Sequence, residues 1–289
     1  MSKAQAWSAY WKQMGEAGGC LPGAPPAVDA QLTELWTQFA RRFDRGAKLL
    51  DLACGTGAVM RALLRGNGDL DLTGVDYAEL PKSRSKKTKL VGSTDIANLP
   101  FDDERFDGLT SQFGIEYADV AAAAPEIARV AKADAMVQFI VHHADSPIVE
   151  QNRNRHAALN AIARSSIRDM ARRATSQPGS DTAMLSQTFS LIARSHPDQP
   201  VVREIAAAID HAVRFGGAGA DKELDRIEAS LEQEIAVLSA LLDVALGSSG
   251  VAEFTASLAA HFDSDAARPI QIQGLARPIA WSISARRKA

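Results

Sequence analysis

The sequence predicts an α/β protein with a doubly wound parallel sheet, on three observations. Short apolar runs alternate with helix-periodic stretches through the first half of the chain. One run, Leu49–Leu52, drives into a small-residue turn with two glycines and leaves it as a helix-like pattern. Near the end, 269–273 and 278–285 alternate with period two, as closing strands do.

The elements follow in order. Trp7, Tyr10 and Trp11 cluster near the start, and the proline-rich 20–27 reads as a loop. Asp29 is placed to cap a helix carrying Leu32, Trp36, Phe39 and Phe43 on one face. Strands are expected at about 47–53, 70–76, 89–93, 106–111 and 136–142, with helices between most of them. The gap from Glu79 to Lys89 is the exception, because Pro81 and the lack of apolar periodicity argue against a packed helix. The turn 131–135 carries Asp134, a residue that tolerates left-handed backbone.

The densest signal is Asp51-Leu52-Ala53-Cys54-Gly55-Thr56-Gly57. Two glycines let backbone pass close to a ligand, and the first free N–H groups of the next helix point at it. Asp76, about twenty residues on at a second strand end, suits a carboxylate gripping a ribose. A dinucleotide fingerprint would need a third glycine where Met60 stands, and no phosphate-cradling Gly-Lys-Ser/Thr loop is present.

The run from Asp51 to Gly57 followed by Val75-Asp76 resembles the class I S-adenosylmethionine-dependent methyltransferases. Asp95 to Phe101 resembles that family's D-x-x-x-L-P-F segment, Phe106–Ile115 its fourth strand and exit, and Glu126–Lys132 the helix before its fifth strand. The match runs from about Ala47 to Val141. It implies a seven-stranded, methyltransferase-like (Rossmann-like) sheet and S-adenosyl-L-methionine as cofactor, with S-adenosyl-L-homocysteine as product. It places Asp51, Ala53, Gly55, Gly57, Asp76, Tyr77, Asp95, Ile96, Gln112 and Trp11 around the cofactor, with Asp95 on the adenine amino group. Trp7, Tyr10 and Trp11 would then close as an aromatic flap, or else simply pack as a terminal helix.

From Pro147 the pattern turns helical. Stripes run through His156–Arg173, about 181–194, Val202–Val213 and Leu224–Ala245, broken at 216–219 and ended at 247–250. The organisation is a core of 1–146 and 251–289 with a helical cap at 147–250. Cap helices are expected to supply the acceptor pocket, or alternatively to mediate homo-oligomer formation through the Leu224–Leu242 stripe.

At 289 residues and 46% hydrophobic, the chain can bury a full core. Its net charge of -3 gives no nucleic-acid footprint. Cys20 and Cys54 read as free thiols of a reducing, cytoplasmic compartment. No apolar run of about 18 residues suggests a membrane span, and no metal is expected.

The expected function is methyl transfer to a small-molecule O, N or C acceptor. An RNA or protein methyltransferase and a non-catalytic cofactor-binding regulator are the rivals. Candidate bases are His142 and His143, with Asp145 beside them; a structural hydrogen bond at a strand end is the plainer reading of each. Arg153, Arg155 and His156 could meet an anionic acceptor or form a solvated helix end. The basic stretch 82–89 reads as a solvated loop.

Overall fold

The computed structural model describes residues 3–15, 26–80, 87–177, 181–215 and 217–289. They separate into two compact units: an α/β unit running to Val149 and resuming at Asp243–Ala289, and a helical unit, Glu150–Leu242.

The first unit runs α1 (Lys3–Met14), α2 (Pro26–Ala40), β1 (Lys48–Leu52), α3 (Ala58–Gly66), β2 (Asp71–Val75), β3 (Thr88–Val91) and β4 (Phe106–Gln112). A 3₁₀ turn (Ile115–Tyr117), α4 (Val120–Val130) and β5 (Ala131–His142) follow. The intervening helices are α5 (Pro147–Ala163), α6 (Ile167–Ser176), α7 (Thr182–Ser195), α8 (Val201–Phe215) and α9 (Ala220–Val244). The chain closes with α10 (Ser248–Leu258), β6 (Phe262–Ser264), β7 (Arg268–Ile270) and β8 (Ala280–Arg287).

The sheet order is β3-β2-β1-β4-β5-β8-β6, with β7 also on β8. β1 to β5 pair in parallel, and β8 runs antiparallel to β5. Among the described residues the sheet therefore has eight strands, not the seven expected. The stretch expected as the sixth strand is β7, and it shares the outer edge of β8 with the unforeseen β6. β6 is only three residues long, too short for a period to show.

Apolar residues cover both faces, as parallel strands require. One face packs Leu50, Leu52, Phe106 and Phe139 with Ile127 and Phe254. The other packs Leu49, Leu63 and Leu72 with Trp36 and Phe39 of α2. Each such side chain contributes about 1.5–3 kcal/mol by leaving water. α2 begins at Pro26, so Asp29 lies in its first turn and not at its cap. β5 starts five residues earlier than expected, and Asp134 takes φ 61° within it, next to the register shift against β4.

The helical unit has its own core, including Leu159, Met170, Phe189, Val202 and Leu224. The helix expected over 156–173 is two, α5 and α6. At the break, Ser165 Oγ donates to the Ile162 carbonyl and accepts the Ile167 N–H, so its side chain competes with the helix ladder. α10 begins inside the glycine-serine run 247–250 read as a terminator, with Gly247 at its N-cap. Residues 82–86 of the 82–89 stretch lie outside the described residues, as does Cys20.

Candidate functional site

In an open α/β sheet, ligands bind beyond the carboxyl ends of the strands where the strand order reverses. Here that point is β1, flanked by β2 and β4. Beyond it Ala53, Gly55 and Gly57 all take positive φ, 53°, 51° and 81°. Left-handed backbone costs little for glycine but about 1–2 kcal/mol for alanine, so the loop holds some strain at Ala53. Gly57 stands directly ahead of α3 with no side-chain cap on the helix N-terminus.

Asp76 organises this loop. Its Oδ2 accepts the Gly55 N–H at 2.8 Å and its Oδ1 the Ala78 N–H at 2.9 Å. Each carboxylate oxygen has a second acceptor direction, so a ribose hydroxyl can still be bound. Asp51 lies one strand away and is 2% exposed. In the parallel register it sits beside Thr110, whose hydroxyl donates to Asp51 Oδ1 at 2.8 Å. Asp51 Oδ2 is buried with no partner. Burial, opposed by Thr110 and aided by the Asp76 charge, pushes Asp51 up to about 7. Burial also raises Asp76, against the pull of its two N–H donors. Two buried carboxylates at neighbouring strand ends make a cation-seeking, anion-repelling site.

The other sequence candidates divide. A Cβ on Gly55 would come within 2.5 Å of the Trp11 indole, so α1 lays this ring on the loop. Trp11 stacks on Trp7, which meets Tyr117 edge to face. The Glu79 N–H donates to Ser8 Oγ, a second tie from α1 to the core. Gln112 accepts from Trp36 Nε1 at 2.6 Å. Asp95 is exposed, with Oδ1 accepting the Ala97 N–H, while Ile96 is buried. Tyr77 is 60% exposed. In the helical unit, Arg155 pairs with Glu234, and His156 Nε2 lies 2.8 Å from Ser239 Oγ. Among the described residues, no group of three or more His, Cys, Asp or Glu could hold a metal. Nor is any helix long and apolar enough to cross a membrane.

The two histidines differ sharply. The His143 ring stacks on Trp281, its Nδ1 accepts the Asp145 N–H at 3.1 Å, and burial lowers its pKa against the pull of Asp145. His142 is held by Glu116. One carboxylate oxygen, Oε1, accepts the His142 backbone N–H at 2.9 Å and lies 2.7 Å from Nδ1. Both side chains are almost wholly buried, 3% and 1% exposed. Glu116 Oε2 and His142 Nε2 have no partner, a deficit of about 1–3 kcal/mol for each such group. Nothing local in the sequence marks Glu116, because its partner is 26 residues away on another strand.

The strand order, reversal point and two-glycine loop define a Rossmann-like α/β domain. Residues 50–139 match the family described as "Methyltransferase domain". Over this stretch the chain is similar to methyltransferase domains. Among curated proteins, it is 42% identical over 104 residues to a demethylmenaquinone methyltransferase of Corynebacterium kroppenstedtii, covering 34% of this chain and 44% of that one. It is 31% identical over 126 residues to a 2-phytyl-1,4-naphtoquinone methyltransferase of Nostoc punctiforme, covering 39% and 55%. The chain thus spans about half the length of the curated relatives it matches, or less. A solved structure described as "Conversion of a Disulfide Bond into a Thioacetal Group during Echinomycin Biosynthesis" shares the fold, with TM-score 0.51, 14% identity and coverage of 99% of this chain and 93% of that one.

Proposed function

We propose that this protein transfers a methyl group from S-adenosylmethionine to a small-molecule acceptor of the quinol class. The observation that carries the reading is the acidic pair Asp51 and Asp76 at the mouth of a two-glycine loop. A ligand with an ammonium and a sulfonium fits two carboxylates, whereas a dinucleotide's pyrophosphate would be repelled. The unpartnered Asp51 Oδ2 is the acceptor such a cation would complete. The positive-φ glycines leave room for backbone to meet a nucleoside.

When bound, the cofactor supplies a methyl group on a good, neutral leaving group, so the protein's task is alignment and exclusion of water. Asp76 would hold the ribose while fixing the loop, and Trp11 would shield it. Matching methyltransferases named for naphthoquinone substrates favour a quinol acceptor. Calorimetry tests the donor: S-adenosylhomocysteine should bind, and NAD or ATP should not bind comparably. Equal or tighter NAD binding sinks the reading.

A further inference from the structure

The Glu116–His142 pair is the chemically loaded group that cofactor binding leaves unexplained. Its members come from separate elements, the 3₁₀ turn after β4 and the end of β5. Glu116 Oε1 meets both the backbone N–H and the Nδ1 side of the same histidine, which fixes the ring's orientation. With the proton on Nδ1, facing the carboxylate, Nε2 carries the lone pair. That nitrogen is buried and unpartnered.

Its surroundings are aromatic. Phe113 lies at 4.5 Å from the His142 ring centroid and Tyr117 at 6.2 Å, edge on. Tyr117 contacts Trp7, Trp7 stacks on Trp11, and Trp11 lies on Gly55. A continuous wall of rings thus joins the histidine to the glycine loop. The titratable side chains in contact with the ring are Glu116 and Tyr117. No cationic side chain among these contacts recommends an anionic acceptor, and flat rings recommend a flat one.

We propose that His142 Nε2 is the general base for a planar, weakly acidic acceptor, a phenol or hydroquinone, and that Glu116 is the positioning residue that makes it one. This rests on the methyltransferase reading and names the acceptor chemistry of the same site. His142 Nε2 takes the hydroxyl proton. The electron pair this leaves, on oxygen or on a conjugated ring carbon, forms the new bond to the methyl carbon. The sulfur–methyl bond breaks with its pair staying on sulfur, which becomes the neutral thioether. After carbon methylation, the ring proton passes to solvent and the imidazolium returns its proton to the phenolic oxygen, which restores the aromatic ring and the neutral histidine. Glu116 holds the ring through its Nδ1 side while Nε2 carries the proton.

The test uses the full-length protein with three probes. Histidine ¹⁵N spectra of the protein alone should show the Nδ1–H tautomer for His142, assigned by its loss in His142→Gln. Turnover is read with a short-chain 2-prenyl-1,4-naphthohydroquinone and labelled S-adenosylmethionine. Glu116→Gln keeps the shape and the hydrogen bonds but removes the charge, so kcat should fall about a hundredfold with KM little changed. His142→Gln should fall at least as far, and Glu116→Asp should recover part of the loss. S-adenosylhomocysteine affinity, by calorimetry, should stay within about twofold in every variant. A neutral Nε2–H tautomer, or kcat in Glu116→Gln within about threefold of the parent, overturns the proposal. Failure of the parent protein to bind S-adenosylhomocysteine would instead strike the methyltransferase reading, and the spectra would still judge the dyad.

Discussion

At the residue scale, the carboxylates carry the most consequence. Asp76 shapes the loop and, on the proposed reading, would also hold the ribose, so Asp76→Ala removes hydrogen bonds to a charged group worth about 1.5–3 kcal/mol. Affinity for S-adenosylhomocysteine should drop about tenfold to a hundredfold by calorimetry, with far-UV circular dichroism unchanged. Asp51 predicts a pH effect of unusual sign. Its folded-state value is about 7, above the ordinary 3.8, so the folded protein holds a proton that the unfolded chain has released. Stability is therefore fully retained below about pH 4 with respect to this group, and is lost as pH rises towards 7. The whole effect is at most about 4 kcal/mol. Asp51→Asn should abolish that fall, which urea titrations at pH 5 and pH 8 would reveal. An unchanged pH slope in the variant would show that Asp51 is ionised throughout. The same reasoning predicts that a cationic ligand expels the proton, measurable as a buffer-dependent binding enthalpy near pH 6.

At the element scale, the loop between β1 and α3 works because α1 lies on it. Gly55 combines φ 51° with the Trp11 indole against the site of its missing Cβ. Gly55→Ala must strain the turn by about 1 kcal/mol and push the indole away. Trp11 fluorescence should shift to the red, and S-adenosylhomocysteine affinity should fall by at least about tenfold. A spectrum identical to the parent's would mean that α1 does not rest on the loop in solution. The D-x-x-x-L-P-F segment is held differently. Arg129 of α4 donates to the carbonyls of Leu99 and Phe101 and pairs with Asp103 and Glu126. The motif's proline and phenylalanine were readable in sequence, but the arginine that secures them was not, since it lies some thirty residues away.

At the scale of the whole molecule, two compact units with separate apolar cores should not melt as one. Urea unfolding followed by circular dichroism is expected to resolve two transitions. S-adenosylhomocysteine should move only the one that also changes Trp36 and Trp281 fluorescence, because a ligand stabilises the unit that binds it. A single transition, shifted as a whole by ligand, would show that the units unfold as one.

What the sequence by itself determined is local. The parallel strands, the glycine loop, Asp51, Asp76 and the left-handed Asp134 all follow from apolar period, glycine placement and strand-end chemistry over short windows. The helical character of 147–250 follows likewise. What only the tertiary structure decided is pairing across distance. Glu116 becomes part of a dyad because β4 and β5 are neighbours, and Asp51 is raised because the sheet buries it and sets Asp76 near it, against the hydrogen bond from Thr110. β6 and β7 share one edge of β8, which no period in three residues can announce. His142 and His143 read alike in sequence. Successive strand residues point to opposite faces, and that alternation gives one a carboxylate partner and the other an indole.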